Sequence, residues 1–69
     1  MTFTQYQQFN EGYNYNINDV FLNRSTNELL INYINDFRHE RDCYIRGMVS
    51  AAIMILRTRK ERVVEIEAN

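Results

Sequence analysis

The sequence predicts an all-α protein, on three observations. Proline is absent from all 69 residues. An apolar stripe of helical period runs through the second half of the chain, and polar residues that favour helix N-termini precede the apolar stretches. No pair of strand-like segments is present to make a sheet. The chain is read as a short N-terminal helix followed by a helical hairpin, or by one long C-terminal helix, completed into a bundle by homodimerisation.

The first element opens at Thr2. Thr2-x-x-Gln5 has the capping-box form, in which a hydroxyl and a side-chain amide satisfy helix N–H groups reciprocally. Phe3, Tyr6, Phe9 and Tyr13 follow at three- and four-residue spacing. The expected helix covers residues 3–11 and is stopped by Gly12, a residue suited to the left-handed cap position. "YNYNIND" then alternates Tyr13, Tyr15 and Ile17 with asparagines, which has strand period. A single strand would have no partner, and asparagine favours turns, so an extended loop with its aromatic side on the helices is expected. A helical turn through "DVFLN", capped by Asn16 or Asn18, comes next.

Residues 25–69 form the helical core. Ser25 to Glu28 fits a second capping box just before "LLINYINDF". From Leu30 the stripe continues through Ile34, Phe37, Arg41, Ile45, Met48, Ala52, Leu56, Arg59, Val63 and Ile66, apolar at nine of eleven positions. A single helix of about 40 residues would reach roughly 60 Å and could bury its stripe only against another chain. A break in the polar pentad "RHERD", with Asp42 capping the second helix, would let two helices of about 26–38 and 42–66 fold together. The hairpin is the preferred reading.

The most informative stretch is "IRGMVSAAIMILRTRK". Gly47 and Ala51 stand one turn apart, and a glycine inside a helix costs about 1 kcal/mol relative to alanine. Such a glycine is often kept because another backbone comes close. Around this notch the helix is apolar on most sides, and burial of Met48, Val49, Ala52, Ile53, Ile55 and Leu56 is worth on the order of 10 kcal/mol. A chain this short cannot cover every side, since a domain of about 60 residues buries only about 60% of its unfolded surface. Self-association is therefore expected through Ile45, Gly47, Met48, Val49, Ala51, Ala52, Ile55 and Leu56, in a homodimer or higher oligomer.

Chemistry-bearing constellations are sparse. His39 and Cys43 stand four apart, as the ligands of a helical metal site do, but the chain has one histidine and one cysteine, and zinc takes at least three protein ligands. A polar helix junction explains them better, and no metal or cofactor is expected. The lone cysteine also excludes an intrachain disulfide. No nucleophile, base and orienting group are juxtaposed in the sequence, so an enzyme is not expected. "RTRKER" is the one basic cluster, yet the formal net charge is −1, which gives no bulk attraction to nucleic acid. Arg41 and Arg59 interrupt the apolar stripe and are expected to meet carboxylates or to run past it towards water.

Tyrosine gives contact area at low entropic cost and keeps a polar tip. Tyr6, Tyr13 and Tyr15, with Arg57, Arg59 and Arg62, are the candidate partner-binding residues, whereas Phe3, Phe9 and Phe21 are expected to cap the core. The apolar run at residues 47–56 is about half the length of a membrane span, and the first residues lack the basic and apolar regions of a signal peptide. A soluble, cytoplasmic, non-enzymatic protein that binds and inhibits or regulates another protein is expected. The Asn- and Tyr-rich composition fits accessory proteins of phages and mobile elements, including inhibitors of host defence. The alternatives are a small dimeric nucleic-acid-binding regulator using Arg57, Arg59, Lys60 and Arg62, and a structural or assembly component.

Overall fold

A computed structural model describes the backbone through residue 68 and the side chains through residue 60; Asn69 and the side chains of residues 61–68 lie outside the described set. The described residues form four helices and no strand: α1 (Phe3–Ile17), α2 (Val20–Arg24), α3 (Asn27–Phe37) and α4 (Cys43–Ala68).

The Thr2 capping box forms as expected. The Thr2 hydroxyl accepts from the Gln5 N–H at 3.2 Å, and Gln5 Oε1 accepts from the Thr2 N–H at 2.9 Å. The helix does not stop at Gly12. It runs through the "YNYNI" segment to Ile17, and no residue among those described has a positive φ. The extended loop is thus replaced by helix. Tertiary packing decides the matter, because Phe9, Gly12, Tyr13 and Asn16 form one helical face and all four are at least half-buried.

Two asparagines turn the chain out of α1. Asn18 donates from its side chain to the Asn14 carbonyl, and Asn23 donates to the carbonyls of Ile17 and Asp19. Asp19, rather than Asn16 or Asn18, caps α2, its carboxylate accepting from the Phe21 N–H at 2.9 Å. The next cap is also displaced by one residue. Thr26 accepts from the Leu29 N–H, while the Ser25 hydroxyl donates backwards to the Phe21 carbonyl. Ser25 ends α2, so its backbone and hydroxyl are committed there and cannot open α3.

The polar pentad breaks the chain. α3 ends at Phe37, a turn bonds the Glu40 N–H to the Phe37 carbonyl, and the Asp42 carboxylate accepts from the Ile45 N–H at 3.1 Å at the start of α4. Residues that meet give the helix directions. Gly12 lies against Tyr44 and Asn16 bonds Met48, so α1 advances in the same sense as α4. Asn27 bonds Arg59 and Leu30 packs with Ala52 and Ile55, so α3 runs antiparallel to α4.

The largest interface joins α1 to α4, and glycines on both helices set its closeness. A Cβ at Gly12 would overlap the Tyr44 carbonyl oxygen, and one at Gly47 would overlap the Phe9 carbonyl oxygen and come within 2.9 Å of the Tyr13 nitrogen. At both positions the Cα hydrogen that takes the place of Cβ points at a carbonyl oxygen, the geometry of weak Cα–H···O contacts at helix crossings. Beyond this crossing Leu30, Ala52 and Ile55 form the core, packed by Ile17, Leu22, Tyr33, Ile34 and Leu56.

Candidate functional site

Three features of the surface and its supports bear on function: a buried polar junction, an arginine clamp and an exposed apolar surface. The junction is Asn16, 3% exposed, where α1 meets both α3 and α4. Its amide nitrogen donates to the Tyr33 hydroxyl and to the Met48 carbonyl, each at 3.0 Å. A primary amide has two N–H donors, so one side chain pins two helices at once. Tyr33 is further positioned by Phe37, with ring centroids 5.1 Å apart and planes inclined by 50°. Sequence reading places Asn16 in a loop and misses this role. The available signal is its four-residue spacing from Gly12.

Arg59 forms the clamp. Its guanidinium donates to the Asn27 side-chain oxygen at 2.8 Å and to the Asn23 carbonyl at 2.7 Å, joining the last turn of α2 and the first turn of α3 to α4. A cation beside a C-terminal carbonyl also complements the helix dipole. Arg59 thus meets neutral oxygens of its own chain, where the sequence leads one to expect a carboxylate or a partner. An open cleft of about 260 Å³ beside it is lined by Ile17, Asn23, Ile55, Thr58 and Arg59. Its one ionisable group among the described residues, Arg59, is engaged in the clamp, and the Thr58 hydroxyl donates to the Met54 carbonyl.

The face assigned to self-association is largely covered from within the chain. Gly47, Val49, Ala51, Ala52 and Ile55 are buried, and Ile45, Met48 and Leu56 are half-buried. The notch at Gly47 is filled by α1, whose backbone approach requires the missing side chain. The close backbone is there, as the glycine suggests, and it belongs to the same molecule. α1 can serve because it is longer than the sequence leads one to expect, reaching Ile17 and so spanning the whole notch.

The candidate partner-binding residues separate. Tyr6 and Tyr15 are 57% and 61% exposed, Tyr13 is half-buried at the α1–α4 crossing, Arg57 is exposed, Arg59 is engaged as described, and the side chain of Arg62 lies outside the described residues. Two of the three phenylalanines expected to cap the core do not. Phe3 and Phe21 are 81% and 86% exposed, and only Phe9 is half-buried. A five-residue helix has one inward side, and on α2 Leu22 takes it. Phe21 is left outward beside Val20, which is 57% exposed.

His39 falls in the turn and Cys43 begins α4, so the break removes the shared helical face on which a metal site would depend. Among the described residues no group of three or more potential ligands comes together, and no helix is long and apolar enough to cross a membrane. No protein-family model matches the chain, no curated protein matches it in sequence, and no solved structure matches it.

Proposed function

We propose that the chain is a non-catalytic binding module that inhibits or regulates a protein target. One observation carries the reading. Among the described residues ten large apolar side chains are exposed, Phe21, Phe3 and Met1 most of all, against five buried hydrophobic residues. Large apolar patches on a small protein mark interaction sites more often than they occur by chance, and aromatic side chains supply much of the energy at interfaces. Phe3 and Tyr6 lie three residues apart on one flank of α1, and Val20 and Phe21 are exposed on α2, at the other end of α1. The composition further supports a phage or mobile-element accessory acting in the host cytoplasm.

The nucleic-acid alternative loses support at Arg59, whose two bonds hold the fold together. The two readings differ in salt dependence, since phosphate contacts weaken steeply as salt rises. Immobilised protein, challenged with a nuclease-treated lysate of a candidate host, is expected to retain a discrete protein at about 0.5 M salt, where phosphate contacts are largely lost. The variant Phe3→Ser/Phe21→Ser, folded by circular dichroism, is expected to lose it. Retention by that variant, or recovery of nucleic acid alone from an untreated lysate, would overturn the proposal.

A further inference from the structure

We infer that a second copy of this chain docks on the face of the α3–α4 pair that points away from α1, with a two-fold axis running along the helices. The inference is independent of what the exposed aromatic residues bind. It rests on charge and on register.

The other side of the pair is occupied by α1, which packs along α4 and bonds Tyr33 of α3 through Asn16, and the flank in question lies opposite.

That flank can be located from helix geometry at 100° per residue. On α4, Tyr44 and Gly47 face α1, while Ala52 and Ile55 face α3. The next side round carries Arg46, Ser50, Ile53, Arg57 and Lys60, spaced by alternating four- and three-residue steps. Its three cations are exposed, and Ser50 and Ile53 are half-buried. On α3, Tyr33 reaches α1 through Asn16 and Leu30 faces α4. The next side round carries Glu28, Ile31 and Asn35, all exposed, with Ile31 at 48%. Because α3 and α4 are antiparallel, continuing past the partner helix leads to the same flank on both. A β-branched apolar residue thus stands in the middle of each polar strip.

The charges on this flank are segregated. The α4 strip carries three cations, Arg46, Arg57 and Lys60, and no acid, whereas the α3 strip carries one acid, Glu28, and no cation. A two-fold axis running across the helices would lay α4 on α4 and oppose cation to cation. An axis along the helices lays α4 on the partner's α3 and opposes cation to acid. Electrostatics therefore selects the second arrangement.

Register agrees with this choice. An axis along the helices leaves each residue at its own height. Within one chain Asn27 is level with Arg59, and Leu30 is level with the pair Ala52 and Ile55. Interpolation at equal rise per residue puts Glu28 level with Arg57, Ile31 with Ile53 and Asn35 with Ser50. Across the axis these become an ion pair, an apolar contact and a hydrogen-bonding pair, each occurring twice. Two-fold symmetry demands such self-complementarity of one patch, and a face with both signs in matched register supplies it.

Light scattering on a sizing column tests the inference, with three charge variants beside the wild-type protein at about 100 μM, a concentration that populates dimers of micromolar Kd. The wild type is expected at twice 8.4 kDa. Glu28→Arg and Arg57→Glu each place like charges together twice per dimer, and each is expected to weaken association about tenfold or more. The double variant Glu28→Arg/Arg57→Glu restores opposite signs and is expected to recover the dimer. Circular dichroism separates lost association from lost fold. A wild-type monomer or a higher oligomer overturns the inference. So does a dimer indifferent to both single changes, or a folded double variant that does not recover.

Discussion

At the scale of single residues, Asn16 shows how one polar side chain can organise a small core. A buried amide left without partners costs about 1–3 kcal/mol, and Asn16 avoids this by donating to Tyr33 and Met48. The expected cost of Asn16→Ala is about 1–3 kcal/mol, because the Met48 carbonyl and the Tyr33 hydroxyl lose their donor together. Urea unfolding of Asn16→Ala, Tyr33→Phe and the double variant isolates the shared bond. Tyr33→Phe should cost less in the Asn16→Ala background than in the wild type, and equal costs would show that the two residues do not cooperate. Local sequence conceals this role, since asparagine next to Ile17 and Asn18 reads as turn material. Arg59 is similar. Its break in the apolar stripe is visible, but its acceptors lie 32 and 36 residues away.

At the scale of elements, helix ends are the most legible feature, because capping is local chemistry. Thr2 with Gln5 and Asp42 with Ile45 form as their spacing suggests. The Ser25 box fails by one residue because two helices compete for the same segment. Thr26 is itself followed three residues later by an acceptable helix residue, Leu29, and Ser25 is held by α2. Thr26→Ala is expected to cost about 1 kcal/mol, the usual worth of an N-cap. Ser25→Ala should cost less, because its hydroxyl bond lies on the exposed end of a five-residue helix. Thermal melts of both variants check the order. If Ser25→Ala proves the more damaging, Ser25 and not Thr26 carries the start of α3.

At the scale of the whole molecule, the crossing of α1 and α4 determines the shape. Alanine normally favours a helix over glycine by about 1 kcal/mol, so Gly12→Ala and Gly47→Ala would stabilise isolated helices. Here both should destabilise the protein, because the added carbon meets backbone that cannot rotate away. Overpacking of this kind costs about 1–3 kcal/mol, so a lower melting temperature is expected for each variant. An increase for either would mean that the helices do not approach as closely as described.

The sequence by itself determined the helical class, the positions of several caps and the need for a close backbone at Gly47, and it favoured a break in residues 38–42 over one long helix. Each arises from interactions within a few residues, or from a period that one segment carries alone. Which backbone fills the Gly47 notch, whether Gly12 ends a helix or admits a neighbour, and which of Phe21 and Leu22 faces inward were decided only by tertiary structure. Gly12 has a low-cost conformation for either use, and a five-residue helix can turn either side inward. Contacts formed across more than thirty residues settle such choices, since they join segments whose separate sequences carry no record of one another.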